Sequence, residues 1–273
     1  MGHFKTTWGA RFSGVRANFC LRVLIMTAGA ILVALGIALS KHSCMGTAAI
    51  SSMPAVFTDV SAAHGAEWMT MGAWTFVFNL LFLLAEIVLL RGEFKPIQVL
   101  QLPLFLVLSV AVDAWLWALS FVPADSYPLQ AVFLALSIIT LALGINLQLA
   151  PDLVMCPADA IVQVVSYVSG RPFPKCKVII DVTLMSVAAA VSFATLGGLH
   201  QVREGTIIAA LLVGRAVGLW GRALKPTLAW LIPPSPRTFI APLIPKDGTR
   251  ARNASKRMIV EDAEAQAQGA AAH

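Results

Sequence analysis

The sequence predicts an all-α membrane protein: six transmembrane helices forming two inverted three-span repeats, each with one short extra helix. Three observations lead there. The chain is 58% hydrophobic and only 12% charged, where soluble domains carry about 25% charged residues. Its apolar residues come in blocks of spanning length separated by short charged loops. The order of those blocks, span, short helix, span, span, occurs twice.

The elements follow in chain order. Roughly 20 residues at about 1.5 Å each cross a hydrocarbon core of about 30 Å. Blocks that meet this length are Leu21–Ser40, Met71–Leu90, Ile97–Val122, Leu129–Ala150, Val178–Leu199 and Gly205–Trp220, the last extending toward Ile232. Pro96, Pro128 and Pro233-Pro234 mark boundaries. The first block, with Lys5, Arg11, Arg16 and Arg22 before it, has an apolar core longer than a signal peptide's and no A-x-A site. It reads as a retained helix. Thr47–Asp59 and Pro157–Ser169 read as helices of only about 20 Å, too short to cross.

Charge sets the orientation. The net charge is +6 and the pI about 9.4, with Lys and Arg gathered at block ends rather than interleaved with aromatics. Nucleic acid is excluded as a partner on that pattern. Six spans place the N-terminal basic run, Arg91 and Lys95, then Arg171, Lys175 and Lys177, and the tail on one face, which the positive-inside rule makes cytoplasmic. The expected organisation is a cytoplasmic basic N-terminus (1–20), a first membrane repeat (21–122), a second (128–232), and a disordered, Pro-rich then low-complexity cytoplasmic tail (233–273).

The repeat shows in "LVALGIAL" (32–39) against "TLALGINL" (140–147), and in "FVFNLLFLL" (76–84) against "VIIDVTLMS" (178–186), which sets Asn79 opposite Asp181. An odd number of spans per unit inverts the second copy. Inverted repeats with matched short segments are a transporter signature. A polar stripe runs along each short helix: Asp159, Gln163, Ser166 and Gly170 in the second, and Thr47, Ser51 and Thr58 in the first. Two placements are compatible with it: re-entrant half-helices lining a shared path, or helices lying at the interface.

Six residues are candidates for a solute path or intramembrane polar site: Ser51, Asn79, Asp113, Asp159, Asp181 and Arg215. Asp113 and Arg215 lie at similar depth in the third spans of the two units and are expected to pair. Asp181 falls four residues after Lys177, an i,i+4 pair. Glu86 near Arg91 and Asp159 at a helix start each have a purely structural explanation. The four cysteines form no CxxC pair, and His42, His64 and His200 form no metal set, so buried thiols, no metal and no cofactor are expected. No G-x-S-x-G, H-E-x-x-H or phosphate-loop pattern occurs, and no enzyme is expected.

"GTAAISSMPAVF", "VLQLPLFLVLSVAVDAWL", "MCPADAIVQVVSYVSGRPF", "KVIIDVTLMSVAAAVSF" and "REGTIIAALLVGRAVGLW" resemble the YczE/YitT family of bacterial multi-pass membrane proteins over roughly residues 20 to 222. That resemblance implies a bacterial plasma-membrane location and no established activity. It also implies a departure, because this family commonly has proline where Arg215 stands. Two functions stay open: a small-solute transporter or channel, or a non-transporting membrane protein that assembles with or stabilises another complex. The partners expected are the lipid bilayer, a small-molecule solute and a second copy in a homo-oligomer. The small-residue run "VAAAVSFATLGG" (187–198) suits close helix packing in either case.

Overall fold

A computed structural model describes residues 6–90, 96–151, 153, 156–171, 173–199 and 201–231. The expected tail (233–273), the loop with Arg91 and Lys95, and His200 lie outside them. The described residues form eight α-helices and no strand: α1 (Thr6–His42), α2 (Ser52–Ala63), α3 (Met71–Leu90), α4 (Gln101–Leu119), α5 (Tyr127–Leu149), α6 (Pro157–Ser169), α7 (Phe173–Leu196) and α8 (Glu204–Leu231). A 3-10 turn precedes α2 (Ala49–Ser51) and another precedes α4 (Pro96–Leu100). All except α2 and α6 contain a stretch long and apolar enough to cross a membrane: Phe19–His42, Met71–Leu90, Gln98–Leu119, Tyr127–Leu149, Lys175–Leu196 and Glu204–Leu224.

Most boundaries fall within a few residues of the hydropathy pattern, and α1, α2 and α7 depart from it most. Helix α1 continues back to Thr6, well before the apolar block. Helix α2 starts at Ser52 rather than Thr47. Cys44 and Gly46 take positive φ, and the Thr47 N–H donates to the Gln201 carbonyl instead of starting a helix. Thr47 therefore lies off the face it was expected to share with Ser51 and Thr58. Pro54 then falls in the first helical turn, where its missing N–H costs little.

Helices α1 and α5 cross at the centre with almost no side-chain thickness between them. A Cβ on Gly36 would lie 2.9 Å from the Leu141 nitrogen, and one on Gly144 2.7 Å from the Val33 nitrogen. Only glycine permits that approach. Val33, Ala34, Ile37 and Leu141 form the central core together with Ala55 from the start of α2, Cys156 just before α6, Met71 and Val112. Helix α4 packs on α1 and α8 on α5, while α2 packs on α7 and α6 on α3.

Each short helix runs from this core toward one end of the bundle. In α2, Ala55 is central, whereas Ser61 accepts a hydrogen bond from Trp74 Nε1 at 2.9 Å, close to the start of α3. In α6, the preceding Cys156 touches Asn79 in the middle of α3, whereas Val164 and Tyr167 pack on Leu90 at its other end. Gly170, at φ 66°, ends α6 in the left-handed conformation.

Candidate functional site

The buried face of α3 is unusually polar for a span. Gly72, Thr75, Asn79 and Glu86 lie along it, spaced to recur on one side of a helix. Thr75 and Asn79 satisfy their donors within the helix: Thr75 Oγ1 donates to the Met71 carbonyl at 2.7 Å and Asn79 Nδ2 to the Thr75 carbonyl at 2.8 Å. The Asn79 Oδ1 remains, and it accepts from Cys156 Sγ at 3.6 Å. Burial, reinforced by the Asp159 carboxylate, pushes the Cys156 thiol up to about 12, against the Ala158 N–H that favours its thiolate. At ordinary pH it is a neutral S–H donor.

Beyond Cys156 the first turn of α6 carries Asp159. Its carboxylate is 3.1 Å from Lys177 Nζ, and Asp181 is 3.2 Å from the same ammonium. One cation of α7 thus holds an acid on α6 and another one turn along its own helix. The i,i+4 pair is as the spacing predicts. Lys177, as the centre of a three-charge group, was not singled out. Its signal was present: a basic residue four before Asp181, in the chain segment that follows α6.

Deeper toward the same end, Glu86 and Gln101 are fully buried. Gln101 Nε2 donates to Glu86 Oε2 at 3.2 Å. Glu86 Oε1 and Gln101 Oε1 have no hydrogen-bond partner. Arg91, the interfacial partner expected for Glu86, lies outside the described residues, and sequence spacing does not show that Glu86 faces Gln101 of α4.

The opposite end is closed by two other groups. Asp113 receives Thr70 Oγ1 at 2.6 Å and the Gly72 N–H at 2.7 Å, while Thr70 Oγ1 itself accepts the Ala73 N–H at 3.1 Å. Together they cap the start of α3 and fasten it to α4. Asp59 binds Lys41 at 3.3 Å and Gln201 Nε2, joining α1, α2 and the segment before α8.

The expected Asp113–Arg215 pair does not form. Both carboxylate oxygens of Asp113 are taken, one by Thr70 and one by Gly72 at the start of α3, and α4 packs on α1 and α3 while α8 packs on α5. Arg215 is exposed, and no ion pair reaches it among the described residues. Ser51 is buried with its hydroxyl donated to the Ala48 carbonyl at 3.0 Å. Of the six candidates the structure joins Asp159 with Asp181 through Lys177 and brings Asn79 beside them through Cys156. Ser51, Asp113 and Arg215 stand apart. All four cysteines are free. Cys156 and Cys176 are buried as expected, but Cys20 and Cys44 are exposed.

Six apolar helices of crossing length, with buried polar side chains along their packed faces, define a multi-pass helical membrane protein. The family of unknown function DUF6198 matches residues 20–222, and the chain belongs to that family. No curated protein and no solved structure matches it.

Proposed function

We propose that the protein is a small-solute transporter or channel, without an enzymatic step, whose path runs between two inverted repeats, residues 21–122 and 128–232. The observation that carries this reading is the placement of α2 and α6. Both start in the central core and run to opposite ends of the bundle. From Asn79 to Leu90 is roughly 16 Å of helix, so α6 reaches from mid-span to one face, as a re-entrant half-helix would. Backbone of that kind is tolerated at membrane depth only inside protein or beside a wet cavity.

The packing supports the inversion. Exchanging α1 with α5, α2 with α6, α3 with α7 and α4 with α8 turns α1–α4 into α5–α8, and α2–α7 into α6–α3. The shift that lays Leu32–Leu39 over Thr140–Leu147 carries Gly36 onto Gly144 and Val33 onto Leu141. Those are the residues whose backbones meet reciprocally. In this reading Ser51, Asn79 and Asp159 border the path, and both termini lie inside. The likeness to the YczE/YitT proteins supports a bacterial plasma membrane. The test is solute uptake by purified protein in liposomes, compared with empty liposomes. No flux for any of a panel of small ions, amino acids and sugars counts against transport. Labelling of single-Cys variants from outside should mark Ser126→Cys and spare Ser169→Cys.

The second reading, assembly with another membrane protein or a second copy, has its own observation. On α8, positions Gly214 and Gly218 open onto empty space, with exposed Arg215 between them. Small residues in this spacing favour close helix association. Cross-linking of detergent-purified protein that survives dilution, without flux in liposomes, supports this alternative.

A further inference from the structure

Glu86 and Gln101 pose a specific problem of hydrogen-bond supply. Both side chains are fully buried, on α3 and α4 respectively. One contact is made, from Gln101 Nε2 to Glu86 Oε2 at 3.2 Å. What is left over is one oxygen on each side chain, and neither has a partner. Two acceptors cannot satisfy one another, and an unsatisfied buried acceptor is costly, a charged one more so. No Lys, Arg or His pairs with Glu86 among the described residues.

The neighbours do not fill the gap. From α6, the Cys156 thiol donates to Asn79, and Asp159 brings further negative charge. Lys177 on α7 is already held between Asp159 and Asp181. Tyr167 of α6 packs beside Leu90, one turn away. Near α1, Arg22 Nη1 donates to the Pro151 carbonyl at 2.6 Å. A calcium ion takes about 6–8 oxygens and a magnesium ion about six, and this pair offers two. A single proton needs one.

We propose that Glu86 and Gln101 form an intramembrane proton site. A proton bound to Glu86 Oε1 makes the carboxyl a donor to Gln101 Oε1. The Gln101 amide already donates to Glu86 Oε2, so the two side chains close a cyclic acid–amide pair with two antiparallel hydrogen bonds. Loss of the proton opens one of those bonds and leaves a carboxylate held by a single neutral donor. Glu86 lies one turn from the end of α3, so the proton exchanges with water at that face. Coupling of this exchange to solute movement rests on the transport reading above. The proton itself does not, and the two are measured separately.

Infrared spectroscopy of the reconstituted wild-type protein reads the carboxyl directly. At neutral pH it should show the carbonyl stretch of a protonated, hydrogen-bonded carboxylic acid. That band should disappear in Glu86→Gln, which keeps the size and the Gln101 contact, and it should shift in Gln101→Leu, which removes the amide. Raising the pH of the wild type should abolish it reversibly. Absence of the band in the wild type at neutral pH overturns the proposal without reference to any variant, as does a band that survives Glu86→Gln. A band that appears only when sodium is replaced by choline assigns the site to a metal ion and also overturns it. Proton flux in liposomes, read by an internal pH dye, then tests coupling. A correct carboxyl band with no proton flux leaves the proton site standing and rejects the coupling; solute uptake alone decides transport.

Discussion

The two halves of the described chain, α1–α4 and α5–α8, each run long helix, short helix, long helix, long helix, and they differ in how their last two helices are held. In the first, α3 and α4 are fastened by Asp113, Thr70 and Gly72, and 28% of each span is buried. In the second, α7 and α8 barely touch, and only 11% and 6% are buried. The strongest polar tie of α7 goes to the short helix α6 through Lys177 and Asp159. A shared pattern of apolar blocks therefore does not enforce a shared pattern of contact. The α3–α4 pair has polar ties at both ends, Asp113 with Thr70 and Gly72 at one and Gln101 with Glu86 at the other, and no side-chain hydrogen bond joins α7 to α8 among the described residues.

The largest change expected from breaking this contrast is at Lys177. Lys177→Met leaves Asp159 and Asp181 without their common cation. Partly buried charges stranded in this way should cost roughly 2–4 kcal/mol, after discounting the buried-pair value for exposure. It should be visible as a lower Tm in detergent and as loosening of α6 by hydrogen exchange. Next are paired glycine substitutions. Gly72→Ala drives a methyl against the Ser109 carbonyl and the Asp113 carboxylate, and should cost about 1–3 kcal/mol. Gly214→Ala meets open space, and should be neutral or stabilising by up to about 1 kcal/mol through helix propensity. Equal effects at the two sites would remove the distinction between a closed and an open pair. A loss of cross-linked dimer in Gly214→Ala would sharpen it toward assembly.

Smaller effects test Asp113 of α4 and Arg215 of α8. Asp113→Ala should cost about 1–2 kcal/mol for the lost cap, and Arg215→Leu should change stability by less than about 0.5 kcal/mol. The double variant should show the sum of the two, as independent sites do. Recovery in the double variant would restore the ion pair that the structure does not contain. Thiol labelling perturbs the fold least. Cys44 should react readily with a maleimide and Cys156 only after unfolding. Raising the pH by about two units should not unmask Cys156, whose burial keeps it a thiol.

The spans were legible because crossing a bilayer demands a long apolar run, and such runs are visible residue by residue. Met71–Leu90 and Pro157–Ser169 match their predicted limits to the residue. The i,i+4 pair of Lys177 and Asp181 was legible for the same reason, since helical spacing alone brings it about. Matched depth could not decide the partner of Asp113. Depth ranks residues along the membrane normal but says nothing of position around the bundle, and there α4 faces α3. The start of α2 was obscured because Thr47 gives its N–H to Gln201, a contact across most of the chain. Glu86 escaped for a related reason: neither its distance from a span end nor its neighbours in sequence reveal a glutamine on the next helix.

The Gly36–Leu141 and Gly144–Val33 crossing bears on how the protein is made. Helix α1 leaves the ribosome before α4 and α5, yet most of its apolar span is buried, chiefly against those two helices. At about 5–20 residues per second, α5 follows only after several seconds. Until then the glycine face of α1, with buried Arg22 and Ser40 on the same helix, has no permanent neighbour. The membrane-insertion machinery must hold that helix, or lipid must cover it, until α5 arrives. A truncated first half would stay in this waiting state, a natural substrate for membrane quality-control proteases.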